Sequence, residues 1–178
     1  MNSVVGTSGQ LLRSTGAGAP AWTTATYPNT SGNAGNILVS NGTNFVSTGL
    51  TTGTSSLGVD VTMTNANQYY PGPSVSLAAG TWFITGTITV FNSSATAGSA
   101  TARLWDGTTT FSSSESYLRQ TPNVTSISLS GIVTLAATTT IRISAASTQP
   151  ASTISSSTLN NPVGNNASFI NAVRIGQK

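Results

Sequence analysis

The chain has 178 residues, enough for one sizeable β domain plus an appendage but not for two full domains. Ser, Thr, Asn and Gly supply 91 of them, while hydrophobic residues make 37% and charged residues 5%; the polarity is that of hydroxyls and amides, not the low-apolar, high-charge signature of disorder. The net charge of +3 comes from six scattered cations, Arg13, Arg103, Arg119, Arg142, Arg174 and Lys178, without the clustering that phosphate neutralisation needs, so no nucleic-acid partner is expected.

Cys is absent, which leaves no disulfide framework and no thiolate metal site. No apolar run approaches the ~18 residues of a membrane span. The segment Met1 to Gln10 has neither a basic n-region nor an apolar h-region. Neither a membrane partner nor an export leader is therefore expected.

In chain order, the first feature is an internal repeat. Gly6-Thr7-Ser8-Gly9-Gln10-Leu11-Leu12-Arg13-Ser14-Thr15-Gly16 aligns with Gly32-Asn33-Ala34-Gly35-Asn36-Ile37-Leu38-Val39-Ser40-Asn41-Gly42, and each copy ends in an aromatic, Trp22 or Phe45. Each copy reads as a turn, a short apolar strand, a Gly turn and an aromatic that returns over the strand, with Asn41-Gly42 a hairpin signal. A unit of this size cannot bury its apolar face alone and needs neighbours.

The pattern G-x-x-G-[QN]-[LI]-L-x-S-x-G followed by an aromatic resembles the short repeat of phage tail fibres, head fibres and related virion appendages, where it often precedes a trimeric C-terminal domain. The second copy departs from it, with Phe45 for the terminal Trp and no Pro of the kind that precedes Trp22 by two positions. The resemblance implies that residues 1–50 are an anchoring segment, with Leu11, Leu12, Trp22, Ile37, Leu38 and Phe45 as its virion-anchoring side chains.

From Leu57 onward the signals are strands and turns. Val59, Val61 and Met63 alternate with polar residues, and Trp82, Ile84, Gly86, Ile88 and Val90 do so over a longer stretch. Thr101 to Trp105 runs into Asp106-Gly107, a hairpin candidate leading to Thr109 and Phe111. Val124, Ile127, Leu129, Ile132, Val133 and Leu135 form one apolar series, Ile141, Ile143 and Ala145 another, and Phe169, Asn171, Val173 and Ile175 mark a last strand. No segment has the spacing of a long amphipathic helix. About eight short strands separated by Gly, Asn and Pro predict an all-β protein in which residues 51–178 form a jelly-roll β-sandwich knob behind the short extended, repeat-containing segment.

Leu77-Ala78-Ala79-Gly80-Thr81-Trp82-Phe83-Ile84 resembles the L-x-x-G-x-W strand of tumour-necrosis-factor-like and C1q-like phage domains, and Ala167 to Gly176 resembles their closing strand. Those domains are trimeric jelly rolls, so the resemblance implies a homotrimer. Phe111, Tyr117 and Phe169 are the apolar residues assigned to its interface.

The inventory of reactive groups is short. Without His or Cys, Ser-His, Cys-His and His-metal constellations cannot be built. The carboxylates are Asp60, Asp106 and Glu115. A glycosidase needs two flanking one bond, and only Asp106 and Glu115 could approach across a hairpin; the competing reading makes Asp106 a turn former and Glu115 a solvated or Arg-paired charge. Asp60, between Val59 and Val61, should face outward and be exposed. No enzyme activity, metal or cofactor is expected. Trp82 should pack in the core, whereas Trp105 at a hairpin tip and Tyr69 and Tyr70 beside a turn at Pro71-Gly72-Pro73 are the candidate contacts for a host surface glycan.

The short reactive inventory, together with what the two resemblances imply, predicts a non-enzymatic structural protein at the surface of a bacteriophage particle. It would be a capsid decoration, cement protein or head-fibre knob, docked by its N-terminal segment on the major capsid or another virion structural protein. The alternative is a receptor-binding tail fibre or fibre tip that serves host attachment by recognising surface glycans.

Overall fold

The computed structural model describes residues 5–30, 32–33, 36–120, 122–157 and 167–176. Gly35, a glycine of the second repeat, and Lys178 lie outside them. All regular structure among the described residues is strand. The chain divides into two units, Met1–Thr51 and Thr52–Lys178.

In the first unit β1 (Leu12–Thr15) pairs with β2 (Gly18–Trp22), and β3 (Ile37–Ser40) pairs with β4 (Phe45–Thr48), both antiparallel. The sequence repeat is also a structural one. Gln10 N–H donates to Thr7 O and Asn36 N–H to Asn33 O, each at 3.1 Å. Gly16 N–H then donates to the Ser14 hydroxyl at 3.3 Å, as Gly42 N–H does to that of Ser40 at 3.2 Å, and both glycines have positive φ, 80° and 93°.

The copies differ at their aromatics. Trp22 lies over Gly6, where a Cβ would come within 2.5 Å of the indole, so only glycine fits there. Phe45 instead stacks on Tyr27, with ring centroids 4.7 Å apart. The segment after β2 joins the copies: Thr23 N–H donates to Leu11 O, Tyr27 N–H to Gly9 O, and Phe45 N–H to Thr26 O.

The second unit holds β5 (Thr52–Ser56), β6 (Val61–Met63), β7 (Tyr70–Leu77), β8 (Gly80–Asn92), β9 (Gly98–Trp105), β10 (Thr110–Leu118), β11 (Asn123–Leu135), β12 (Thr139–Ser147), β13 (Ser152–Ile154) and β14 (Phe169–Gly176). One sheet runs β10-β9-β12-β7; the other runs β5-β14-β8-β13-β6, with β11 on the opposite edge of β8. This is the jelly-roll sandwich that the strand spacing predicts. Its core lies between the sheets. The long alternation on β8 buries Trp82, Ile84, Ile88 and Val90 against Leu104, Ile127, Leu129, Ile141 and Ile143 of the facing and neighbouring strands.

The two segments that carry the jelly-roll resemblance pair directly, β14 against β8. Arg174 clasps the turn before β8, donating from Nη2 to Ala79 O at 2.6 Å, while Trp82 Nε1 donates to Ala78 O at 2.9 Å.

Two local expectations are corrected, and the buried face of the last strand is fixed. Pro71-Gly72-Pro73 is not a turn but the start of β7, the edge position in its sheet, where missing N–H donors are tolerated. The register shifts between Arg142 and Ser144, opposite this stretch, and a Cβ on Gly72 would meet the Ile143 carbonyl at 2.7 Å, so only glycine allows that approach. Val59 does not share the strand of Val61 and Met63: β6 begins at Val61 and Val59 is exposed. On β14 the core face is Ile170 and Ala172, so the series Phe169, Asn171, Val173, Ile175 points away from the core. The strand is where the sequence puts it, but a period of two does not say which face is buried when the inward residues are small.

Candidate functional site

Two surfaces of the second unit carry side chains that the core does not explain. The first is the outer face of the six-stranded sheet. Residues directly opposite one another on adjacent strands share a face, and the pairing of Phe83 with Ile132 on one side and Val173 on the other makes an apolar row across three strands. Ile132 is 67% exposed, Ile175 is 55% exposed and Phe83 43%. Beyond that row the face turns to hydroxyls: Thr87 bonds Ser128 at 3.1 Å and Thr89 bonds Ser126 at 2.9 Å. An open depression of about 290 Å³ lies here, lined by Thr85, Thr87, Ser128, Ser130 and Phe169 among others.

Of the residues assigned from sequence to an interface, only Phe169 is on this face. Phe111 packs against the core, and Tyr117 is exposed on β10 of the other sheet. The three share no common surface. Phe83, Ile132, Val173 and Ile175 carried no such expectation, although two successive apolar residues on a strand, as at Ile132-Val133, place one on each face.

The second surface is the outer face of the four-stranded sheet. Arg103 lies between two rings, its Cζ 3.9 Å from the Tyr69 centroid and 3.6 Å from that of Trp105. Trp105 Nε1 donates to the Ser144 hydroxyl at 2.9 Å, and Ser144 is the β12 partner of Arg103. The indole is thereby fixed over a buried polar floor. Sequence reasoning brings forward Tyr69 and Trp105 but misses the arginine that joins them; the signal for it is the i, i+2 spacing of Arg103 and Trp105 on one strand face.

Tyr70 is separated from that pair. It sits opposite Ala145 and packs against the core. Its hydroxyl bonds Thr64 Oγ1 and accepts from Asn65 N–H, both at 2.8 Å. The Thr64 hydrogen bond holds the phenol below its ordinary pKa, with burial opposing and Asn65 assisting. Through these bonds Tyr70 clasps the loop before β7.

The carboxylates lie apart. Asp106 accepts from Thr108 N–H at 2.8 Å and Thr109 N–H at 2.7 Å, and these bonds, Thr109 first, pull its pKa below the usual value. It forms the hairpin turn. Glu115 pairs with Thr101, five positions along β9 from Asp106, roughly 16 Å at strand rise, well beyond the ~5–9.5 Å of a glycosidase pair. Asp60 is exposed as expected, yet it is tied down, accepting from Ser156 N–H and the Ser156 hydroxyl, each at 2.7 Å.

In the first unit no described residue is buried. Leu11, Leu12, Trp22, Ile37 and Leu38 are exposed and Phe45 is half-buried against Tyr27. An open cleft of about 360 Å³ runs beside Ile37, Leu38, Tyr27 and Asn36.

No protein-family model and no curated protein sequence matches the chain. Among solved structures it is similar to the Eiger TNF of S. frugiperda, at 11% identity over 72% of this chain and 94% of that one, with a TM-score of 0.47. It is similar also to murine APRIL, at 10% identity over 71% and 99%, with a TM-score of 0.48.

Proposed function

We propose that this chain is a non-enzymatic structural protein of a bacteriophage particle. In this reading it is a homotrimeric capsid decoration, cement protein or head-fibre knob whose N-terminal repeats dock on the major capsid or another virion structural protein. The observation that carries the reading is the first unit: two hairpins with matching hydrogen bonds hold the apolar pairs Leu11-Leu12 and Ile37-Leu38 at equivalent positions, uncovered. Ordered strands without a fully buried described residue of their own need a partner surface. The repeat pattern supports a virion as that surface, and the apolar row on the six-stranded sheet supports association of the knobs.

A second reading, a receptor-binding tail fibre or fibre tip, is favoured by the Tyr69–Arg103–Trp105 stack. Electron microscopy of purified particles tests both. Three-fold knobs on the shell are expected; knobs confined to the tail support the second reading, and absence of the protein from particles overturns both.

A further inference from the structure

The Tyr69–Arg103–Trp105 stack has a property that a simple packing contact would not need. The Tyr69 and Trp105 rings both lie against the guanidinium, their centroids 3.9 Å and 3.6 Å from its Cζ, and its Nε is buried with no acceptor among the described residues. Neither Nη nitrogen bonds a described residue, and neither is buried. A guanidinium packed against two aromatic rings keeps its charge and its fork geometry while losing rotamer freedom. What it presents is its terminal edge, two parallel N–H donors at the spacing of a carboxylate.

The surroundings fit an anion that carries hydroxyls. Arg142, the β12 partner of Trp105, brings a second cation to the same face, diagonal to Arg103. Ser113, the β10 partner of Arg103, is exposed beside it, and Thr101 follows on the same face of β9. The carboxylates nearby do not neutralise the fork. Asp106 is engaged by its own turn, and Glu115 stands opposite Thr101, diagonal to Arg103.

We infer that this face is a binding site for the carboxylate of an acidic saccharide. Arg103 would hold the carboxylate end-on through its two Nη groups, the edges of Tyr69 and Trp105 would flank the sugar ring, and Ser113 and Thr101 would meet its hydroxyls. The inference gives the glycan reading a chemical class, and its test depends on neither trimerisation nor particle attachment.

Saturation-transfer NMR on the intact chain compares glucuronate with glucose, which lacks the carboxylate, and acetate, which lacks the ring. Glucuronate should bind and the other two should bind at least about tenfold more weakly; Arg103→Lys, which keeps the charge but not the fork, should lose about tenfold. Glu115→Gln, which removes a repelling charge without touching the stack, should tighten binding and serves where the Lys variant does not fold. Glucuronate binding no better than acetate or glucose, an unchanged affinity in a folded Arg103→Lys chain, or weaker binding in Glu115→Gln overturns the assignment.

Discussion

Replacing Ile132 by Lys tests whether the knobs meet across the six-stranded sheet. Fully burying an Ile side chain is worth about 1.5–3 kcal/mol; at 67% exposure, Ile132 has about 1–2 kcal/mol of that still to gain on association. Ile175 and Phe83, at 55% and 43% exposure, add about 1 kcal/mol each, so three equivalent interfaces draw on the order of 10 kcal/mol from this row. A lysine in the row loses the Ile132 share and forces an ammonium out of water, at a cost of several kcal/mol per ion. In an isolated knob the same substitution is at a solvated position and costs within about 0.5 kcal/mol. Light scattering after size exclusion should therefore show the mass falling from about three times 18.0 kDa to 18.0 kDa, with the β circular dichroism unchanged. A variant that keeps the parent mass, or a parent chain that is itself monomeric, refutes the reasoning.

Asp106 has a depressed pKa in the fold, so its contribution is complete above the ordinary carboxylate value of 3.8 and is lost as pH falls through the lower folded value. The urea midpoint of Asp106→Asn should thus lie below the parent at pH 7 and approach it in strong acid; a gap that widens on acidification contradicts the turn assignment. Trp82→Ala should cost about 3–5 kcal/mol, the range for a large buried aromatic, and a thermal midpoint within a few degrees of the parent would show that the core is not organised around β8. Incubation with host polysaccharide should release no new reducing ends, and release abolished by Asp106→Asn or Glu115→Gln would overturn the non-enzymatic reading.

What the sequence made legible was set by local chemistry. The alternation of Trp82, Ile84, Ile88 and Val90 and the turns at Asn41-Gly42 and Asp106-Gly107 each need only neighbours in the chain, and each is in the structure where the pattern puts it. The strand β5 was invisible because Thr52–Ser56 contains no apolar residue, its place being fixed by pairing with β14. The orientation of β14 was hidden for a related reason: an apolar outer face and a small inner residue, Ala172, make the two faces look alike. The Arg103 stack needs Tyr69, which arrives from a distant part of the chain through the sheet order β9-β12-β7. Pairing order across a sheet is long-range information, and period-two patterns do not carry it.

The proposed function divides labour between a knob that folds by itself and a repeat segment that would attach it to the particle. The second unit contains the buried core residues of the described chain, so a chain beginning at Thr51 should remain soluble and rich in β structure. Added to particles that lack the protein, the full chain should attach and the chain beginning at Thr51 should not. Attachment by the shortened chain would place the anchoring surface on the jelly roll and leave the Leu11-Leu12 and Ile37-Leu38 repeats as a spacer.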